Sequence, residues 1–150
     1  MAGEHITAYL CVHDADAAID FYQRAFGAKQ RLRLTGDDGR VGHADLAIGD
    51  ASFMLSDEWP EGNVVSPKTL GNTPIALHLR VDNVDTFFAQ AIAAGATEER
   101  PVSDQVYGER GGVLRDPFGH RWFVATQTEY LSNDEMRRRF EGEGYETRGE

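Results

Sequence analysis

The chain has 150 residues, 41% hydrophobic and 27% charged, enough for one domain that buries about two-thirds of its unfolded surface. Twenty-five acidic residues against 15 basic ones give a net charge of −10, which argues against a nucleic-acid partner and suits either a cationic small molecule or a plain solvated acidic surface. No apolar run approaches the ~20 residues that span a bilayer, no basic-then-apolar leader opens the chain, and the single Cys11 has no partner for an internal disulfide, so no membrane association and a cytoplasmic location are expected.

Ile6–Val12 predicts a strand. Asp14 or Asp16 then caps a helix whose apolar residues Ala15, Ile19, Tyr22 and Phe26 recur at 3.6-residue spacing, and Gly27 ends it. A strand over Lys29–Leu34, a turn cluster at residues 35–39, and strands over Val41–Ile48 and Ser52–Ser56 complete a first module of about residues 5–57. Residues 58–74, rich in Pro, Gly, Ser and Asn, read as a lid over a site or as a linker. The order of elements then starts again. Ile75–Val81 is a strand, Asp82-Asn83 opens a helix with apolar positions Val84, Phe88, Ala91 and Ile92, and Gly95 closes it. A strand over Thr97–Pro101, a long polar loop over Val102–Gly111, and a hairpin of Gly112–Arg115 and Arg121–Thr126 about Asp116-Pro117-Phe118-Gly119 complete a second module of about residues 75–128. In residues 129–150, Ser132 to Glu135 has capping-box spacing ahead of a short helix at Met136–Phe140, with a frayed tail from Glu141.

The two halves align at an offset of 69 residues: Tyr9-Leu10-Cys11-Val12 falls on His78-Leu79-Arg80-Val81, and Phe53-Met54-Leu55 on Trp122-Phe123-Val124. The fold class that follows is α+β, one domain of two tandem βαβββ modules, each a mixed, curved sheet with a helix on one face. Strand alternation gives each sheet one apolar face for its helix, with Leu10, Val12, Ala44, Leu46, Phe53 and Leu55 in the first. The opposite, inner face is mixed and resembles a small-molecule pocket. Its polar groups are Tyr9, His43, Asp45, His78, Arg80, Arg115 and Arg121, and the loop residues Tyr107, Glu109 and Arg110 are placed to close its mouth.

The repeat, the helix pattern and the segment Asp116-Pro117-Phe118-Gly119-His120-Arg121-Trp122 together resemble the glyoxalase/bleomycin-resistance/extradiol-dioxygenase (vicinal-oxygen-chelate) superfamily. Within it the chain is most similar to small bacterial PhnB-like proteins, through Gly42-His43-Ala44-Asp45-Leu46, Leu55-Ser56-Asp57-Glu58, Ser66-Pro67-Lys68-Thr69-Leu70-Gly71 and Asp104-Gln105-Val106-Tyr107-Gly108-Glu109-Arg110. Metal-dependent members of that superfamily hold a divalent ion with a His or Glu from each of four strands. Carried over, those positions hold Thr7, Met54, Ala76 and Phe123, none of them a first-rank ligand, so no metal or other cofactor is expected. The alternative is a displaced divalent site among His5, His43, Asp45 and His78.

Two functions follow. One is a metal-free homodimer, the dimer being implied by the resemblance, that sequesters a small cationic or aromatic molecule against Tyr9, Met54, His78, Arg80, Tyr107, Arg110 and Phe123. The other is a lyase or isomerase acting on a small carbonyl compound, with the displaced metal or with His43, Asp45 and His78 as acid–base groups. A dimer without ligand is the plainer third reading, and Cys11 as a nucleophile has no base near it in sequence.

Overall fold

In the computed structural model, which describes residues 3–146, the chain forms two four-stranded mixed sheets and their helices. The first half comprises β1 (Tyr9–Val12), α1 (Ala15–Phe26), β2 (Lys29–Thr35), β3 (Val41–Ile48) and β4 (Ala51–Asp57), with sheet order β1-β4-β3-β2. A 3-10 turn (Pro60–Gly62) and the short helix α2 (Pro67–Leu70) occupy the connection. The second half comprises β5 (Ala76–Arg80), α3 (Val84–Ala94), β6 (Thr97–Asp104), β7 (Glu109–Arg115) and β8 (Arg121–Gln127), in the order β5-β8-β7-β6. α4 (Asn133–Gly142) follows. In each sheet the first strand runs parallel to the last, and the other pairs are antiparallel.

The internal repeat extends to strand register. Tyr9 lies opposite Met54 and Leu10 opposite Leu55; 69 residues later, His78 lies opposite Phe123 and Leu79 opposite Val124. The helix starts are local chemistry: the Asp14 side chain accepts from Ala17 N and that of Asn83 from Thr86 N, satisfying donors that have no partner inside the helix. Gly27 closes α1 at φ 66°, the left-handed conformation that glycine adopts without Cβ strain.

α1 and α3 pack against each other between the sheets. Phe26 stacks on Phe87 at 5.3 Å, and the Gln90 amide donates to the Arg24 carbonyl. Trp122 of β8 reaches across to Tyr22, Phe26 and Phe53, at 5.7, 4.9 and 5.6 Å between ring centres, so a single core joins both halves. The helix-bearing faces therefore look toward each other, and the two inner faces look away from each other.

The structure departs from the sequence reading in several places. The long polar loop expected over residues 102–111 is a turn of four residues, 105–108, because β6 continues to Asp104 and β7 begins at Glu109. Register shifts on either side of Arg100 break the alternation by which this strand would be recognised. Ile6 and Ile75 lie outside β1 and β5 and are exposed, and Ile92 lies at the exposed margin of α3. The connection over residues 58–74 is ordered helical turn, pinned by Glu58, which accepts from Ser66 N at 3.0 Å, from Ser66 Oγ, and from Thr69 Oγ1 at 2.5 Å. α4 reaches Gly142, with Tyr145 packed on Phe140 at 5.3 Å; the remainder of the expected frayed tail, residues 147–150, lies outside the described residues.

Candidate functional site

The inner face of the first sheet carries a polar chain. Tyr9, Met54 and Asp45 lie in one row across β1, β4 and β3, and His43 stands two residues from Asp45 on the same face. The Tyr9 hydroxyl and His43 Nδ1 are 2.7 Å apart, and His43 Nε2 lies 2.9 Å from Asp45 Oδ1. A carboxylate only accepts, so Nε2 carries the proton toward Asp45, and Nδ1 accepts from the Tyr9 O–H. Burial, and then the Asp45 charge, push the Tyr9 phenol above its usual range. Leu32 and Leu34 of β2, opposite Asp45 and His43, extend the same face with exposed apolar surface.

Tyr9 also faces a cavity of about 660 Å3 at the end of the sheet, lined with Cys11, Val41, Ser56, Trp59 and Val64. The β2–β3 turn contributes Asp38 and Arg40, which pair with each other at 2.9 Å. Asp57 and Glu58 complete the wall. Both Asp57 oxygens accept backbone N–H groups, from Ala15 and Val41 at 2.7 Å each, and Glu58 is satisfied by hydroxyls and an amide. These are neutral donors, so among the described residues neither carboxylate is met by a salt bridge. The effect shows at Cys11, whose thiol is pushed up to about 11 by burial and by the charges of Glu58 and Asp57. A thiol so held is not a nucleophile at neutral pH.

The inner face of the second sheet is built differently. His78, at the repeat position of Tyr9, stacks on Phe123 at 5.0 Å. Its Nε2 donates to Glu109 Oε2 at 3.0 Å, and Arg80 Nη2 donates to Glu109 Oε1 at 2.9 Å. Glu109 therefore belongs to the strand β7 and reaches back over the sheet; it does not close a pocket mouth. Arg115 and Arg121 both donate to Glu99; Arg115 is further held through Nη1 by Asn72 and the Gly119 carbonyl, whereas Arg121 bonds through Nε. Arg110 has the opposite parity. Its guanidinium forks onto Asp85 of α3 and touches Asp104, on the helix side of the sheet, so it does not line the inner face. Tyr107 stacks on Phe140 of α4 at 6.1 Å and borders a smaller hollow of about 280 Å3 with Arg100, Val113 and Phe123.

The residues grouped by sequence as one site thus divide into two. Tyr9, His43, Asp45 and Met54 share one sheet; His78, Arg80 and Phe123 share the other. His43 bonds Asp45 on the first sheet, His78 bonds Glu109 on the second and His5 bonds Gly3 O, so among the described residues these groups are not brought together. Among the described residues, no three His, Cys, Asp or Glu side chains are grouped to hold an ion. At the positions carried over by resemblance stand a hydroxyl, a thioether, a methyl and a phenyl group, from Thr7, Met54, Ala76 and Phe123. That donor set does not fit Zn, Ni, Fe or Mn. Sequence reasoning offered residues 58–74 as a lid over a site but named none of Asp57, Glu58, Trp59 and Val64 as cavity wall. The signal available for the two acids was their place at the end of the apolar strand, after Phe53-Met54-Leu55-Ser56.

Comparison with known proteins gives a consistent picture. A family model described as the Glyoxalase/Bleomycin resistance protein/Dioxygenase superfamily matches residues 4–124. An uncharacterized protein of Mycobacterium bovis is 39% identical over 142 residues, covering 93% of this chain and 93% of that protein. TioX from Micromonospora sp. ML1 superimposes with a TM-score of 0.66 at 29% identity, covering 86% of this chain and 100% of TioX. A PhnB protein from Bacillus cereus superimposes with a TM-score of 0.62 at 21% identity, covering 82% of this chain and 99% of the other.

Proposed function

The chain belongs to the glyoxalase/bleomycin resistance protein/dioxygenase superfamily, and from that premise we propose that it sequesters a small organic molecule, largely apolar and neutral or cationic, without a resident metal. The observation that carries this reading is the cavity of about 660 Å3 between the first sheet and the 58–74 connection. Its volume lies in the range of small-molecule sites, about 300–1,000 Å3, and its wall combines aromatic and aliphatic surface with a few fixed polar groups. Asp57 and Glu58, bonded by neutral donors, favour a positive ligand charge, and Trp59 offers a ring face to a cation. The Thr7, Met54, Ala76 and Phe123 set supports the metal-free part of the reading. The resemblance of the segments around His43 and Tyr107 supports a PhnB-like member as the finer reading, and a single cysteine suits a reducing cytoplasm.

Titration with benzyltrimethylammonium, benzyl alcohol and benzoate, followed by calorimetry and tryptophan emission, tests this directly. Affinity is expected to fall in that order. Trp122 is buried in the core and Trp59 is exposed at the cavity, so the emission change should vanish in Trp59→Phe. No binding tighter than millimolar across the three would remove the sequestration reading; equal binding of benzoate would remove its charge preference.

A further inference from the structure

We propose that Tyr9, His43 and Asp45 form a proton relay that opens into the cavity, giving the protein a keto–enol isomerase activity on aryl-activated ketones. The proposal rests on the cavity reading above and adds chemistry to it.

The geometry has the parts of a relay in order. Asp45 Oδ1 holds His43 Nε2–H at 2.9 Å, which fixes the tautomer, and this directs the His43 Nδ1 lone pair at the Tyr9 hydroxyl, 2.7 Å away. Tyr9 lines the cavity wall, whereas His43 and Asp45 do not line it. A ligand there meets the phenol oxygen, with a base behind it and a carboxylate behind the base. This is the arrangement by which a weak hydroxyl acid is made competent, with base and orienter within hydrogen-bond reach of each other. The phenol is held protonated by burial and by the Asp45 charge, so Tyr9 carries protons across rather than standing as a phenolate.

The step balances without a metal or redox partner. The Tyr9 oxygen takes the proton from the carbon beside the ketone as the Tyr9 hydroxyl proton moves to His43 Nδ1. The C–H bonding pair becomes the carbon–carbon double bond of the enolate, and the carbonyl π pair moves to oxygen. The imidazolium so formed stays against Asp45. The proton returns by the same route to oxygen or carbon, which yields the enol or regenerates the ketone. On the wall the Arg40 guanidinium is engaged by Asp38 and the Glu58 carbonyl, and the Ser56 hydroxyl by the Asp57 carbonyl, so these donors are committed to the protein and not set to meet an enolate oxygen. That restricts the substrate class to ketones whose C–H is acidified by an adjacent aryl group or second carbonyl, and the apolar wall selects those without negative charge.

The experiment uses 2-indanone with the full-length protein in D2O, following loss of its methylene protons by NMR. Occupancy of the cavity is read separately from Trp59 emission. Exchange about 10²-fold or more above buffer is expected, the usual contribution of a positioned acid–base group. Tyr9→Phe, which removes one oxygen, should return exchange to the buffer rate while 2-indanone still binds. His43→Ala should lose exchange and regain it on addition of imidazole, which a merely structural histidine would not show. Asp45→Asn should lower kcat with KM little changed. Absence of exchange with 2-indanone bound overturns the relay and leaves the binding reading standing, as does exchange that survives Tyr9→Phe. Failure of 2-indanone to bind at its solubility limit overturns both.

Discussion

At position 116 one carboxylate answers four donors. Asp116 Oδ2 accepts from the Tyr22 hydroxyl at 2.5 Å and from Trp122 Nε1 at 2.9 Å, while Oδ1 accepts from the backbone N–H of Phe118 at 2.9 Å and of His120 at 3.0 Å. The residue is 3% exposed, so water cannot replace a lost partner. Asn at this site supplies one acceptor and one NH2. Whichever way the amide turns, its NH2 meets two donors, and at least one buried N–H is left without an acceptor. Asp116→Asn should therefore cost about 3 kcal/mol, and lower the thermal midpoint by roughly 6–12 °C. Tyr22→Phe, which removes a single donor, should cost about 1 kcal/mol. A midpoint shift under 2 °C for Asp116→Asn would show that the network is not holding the halves together. The turn at Asp116-Pro117-Phe118-Gly119 is legible in the sequence because its residues are local turn chemistry. The tie to Tyr22 spans 94 residues and has no local signature; Tyr22 reads simply as one more apolar position of α1.

The strands show the same division between local and distant information. β3, β4 and β8 are legible because alternation runs through most of each strand, and the 69-residue offset carries the assignment of one half to the other. β7 is not legible at its start: Glu109 follows a turn glycine at φ 85° and a bulged β6, so it reads as loop. Its position on the strand gives it a stabilising role across the sheet. Burial alone would raise the Glu109 carboxyl, but the hydrogen bonds and charges of His78 and Arg80 outweigh it and hold the group below the usual carboxylate range. A carboxyl lowered in the folded state adds stability above its unfolded value, near 4.5, and that stability is lost as pH falls through the lower folded value. Glu109→Gln should thus cost about 1–3 kcal/mol at pH 7, with Arg80 contributing little because its exposed guanidinium is screened. The gap between the two proteins should narrow as pH falls below 4.5 and close as it passes through the lower folded value. Chemical denaturation at pH 7, 5 and 3.5 checks this, and a gap that persists undiminished at pH 3.5 would refute the ionic account.

For the whole molecule, the sequence gives no sign that α1 and α3 meet back to back. The contact depends on a second apolar stripe, Phe87 and its neighbours, which a single-helix pattern assigns to the margin of the sheet-facing side. Once the helices meet, both inner faces open outward, and β1 and β5 become edge strands with one side unpaired. The exposed area reflects this: 9392 Å2 against the roughly 7,600 Å2 expected of a folded 16.6 kDa monomer, an excess of about 1,800 Å2. A standard protein interface buries about 800 Å2 on each partner, so the excess is large enough to be an interface. Ile6 and Ile75, 101% and 60% exposed, lie just ahead of the two free edges. We propose that a second copy of the chain covers these edges. Sedimentation equilibrium at tens of micromolar should give twice the 16.6 kDa chain mass. Joint substitution Ile6→Asp and Ile75→Asp should return it to the chain mass without loss of helix signal, because neither side chain contributes to the core. A native protein that sediments at the chain mass would leave the exposed edges to some other role and remove the dimer.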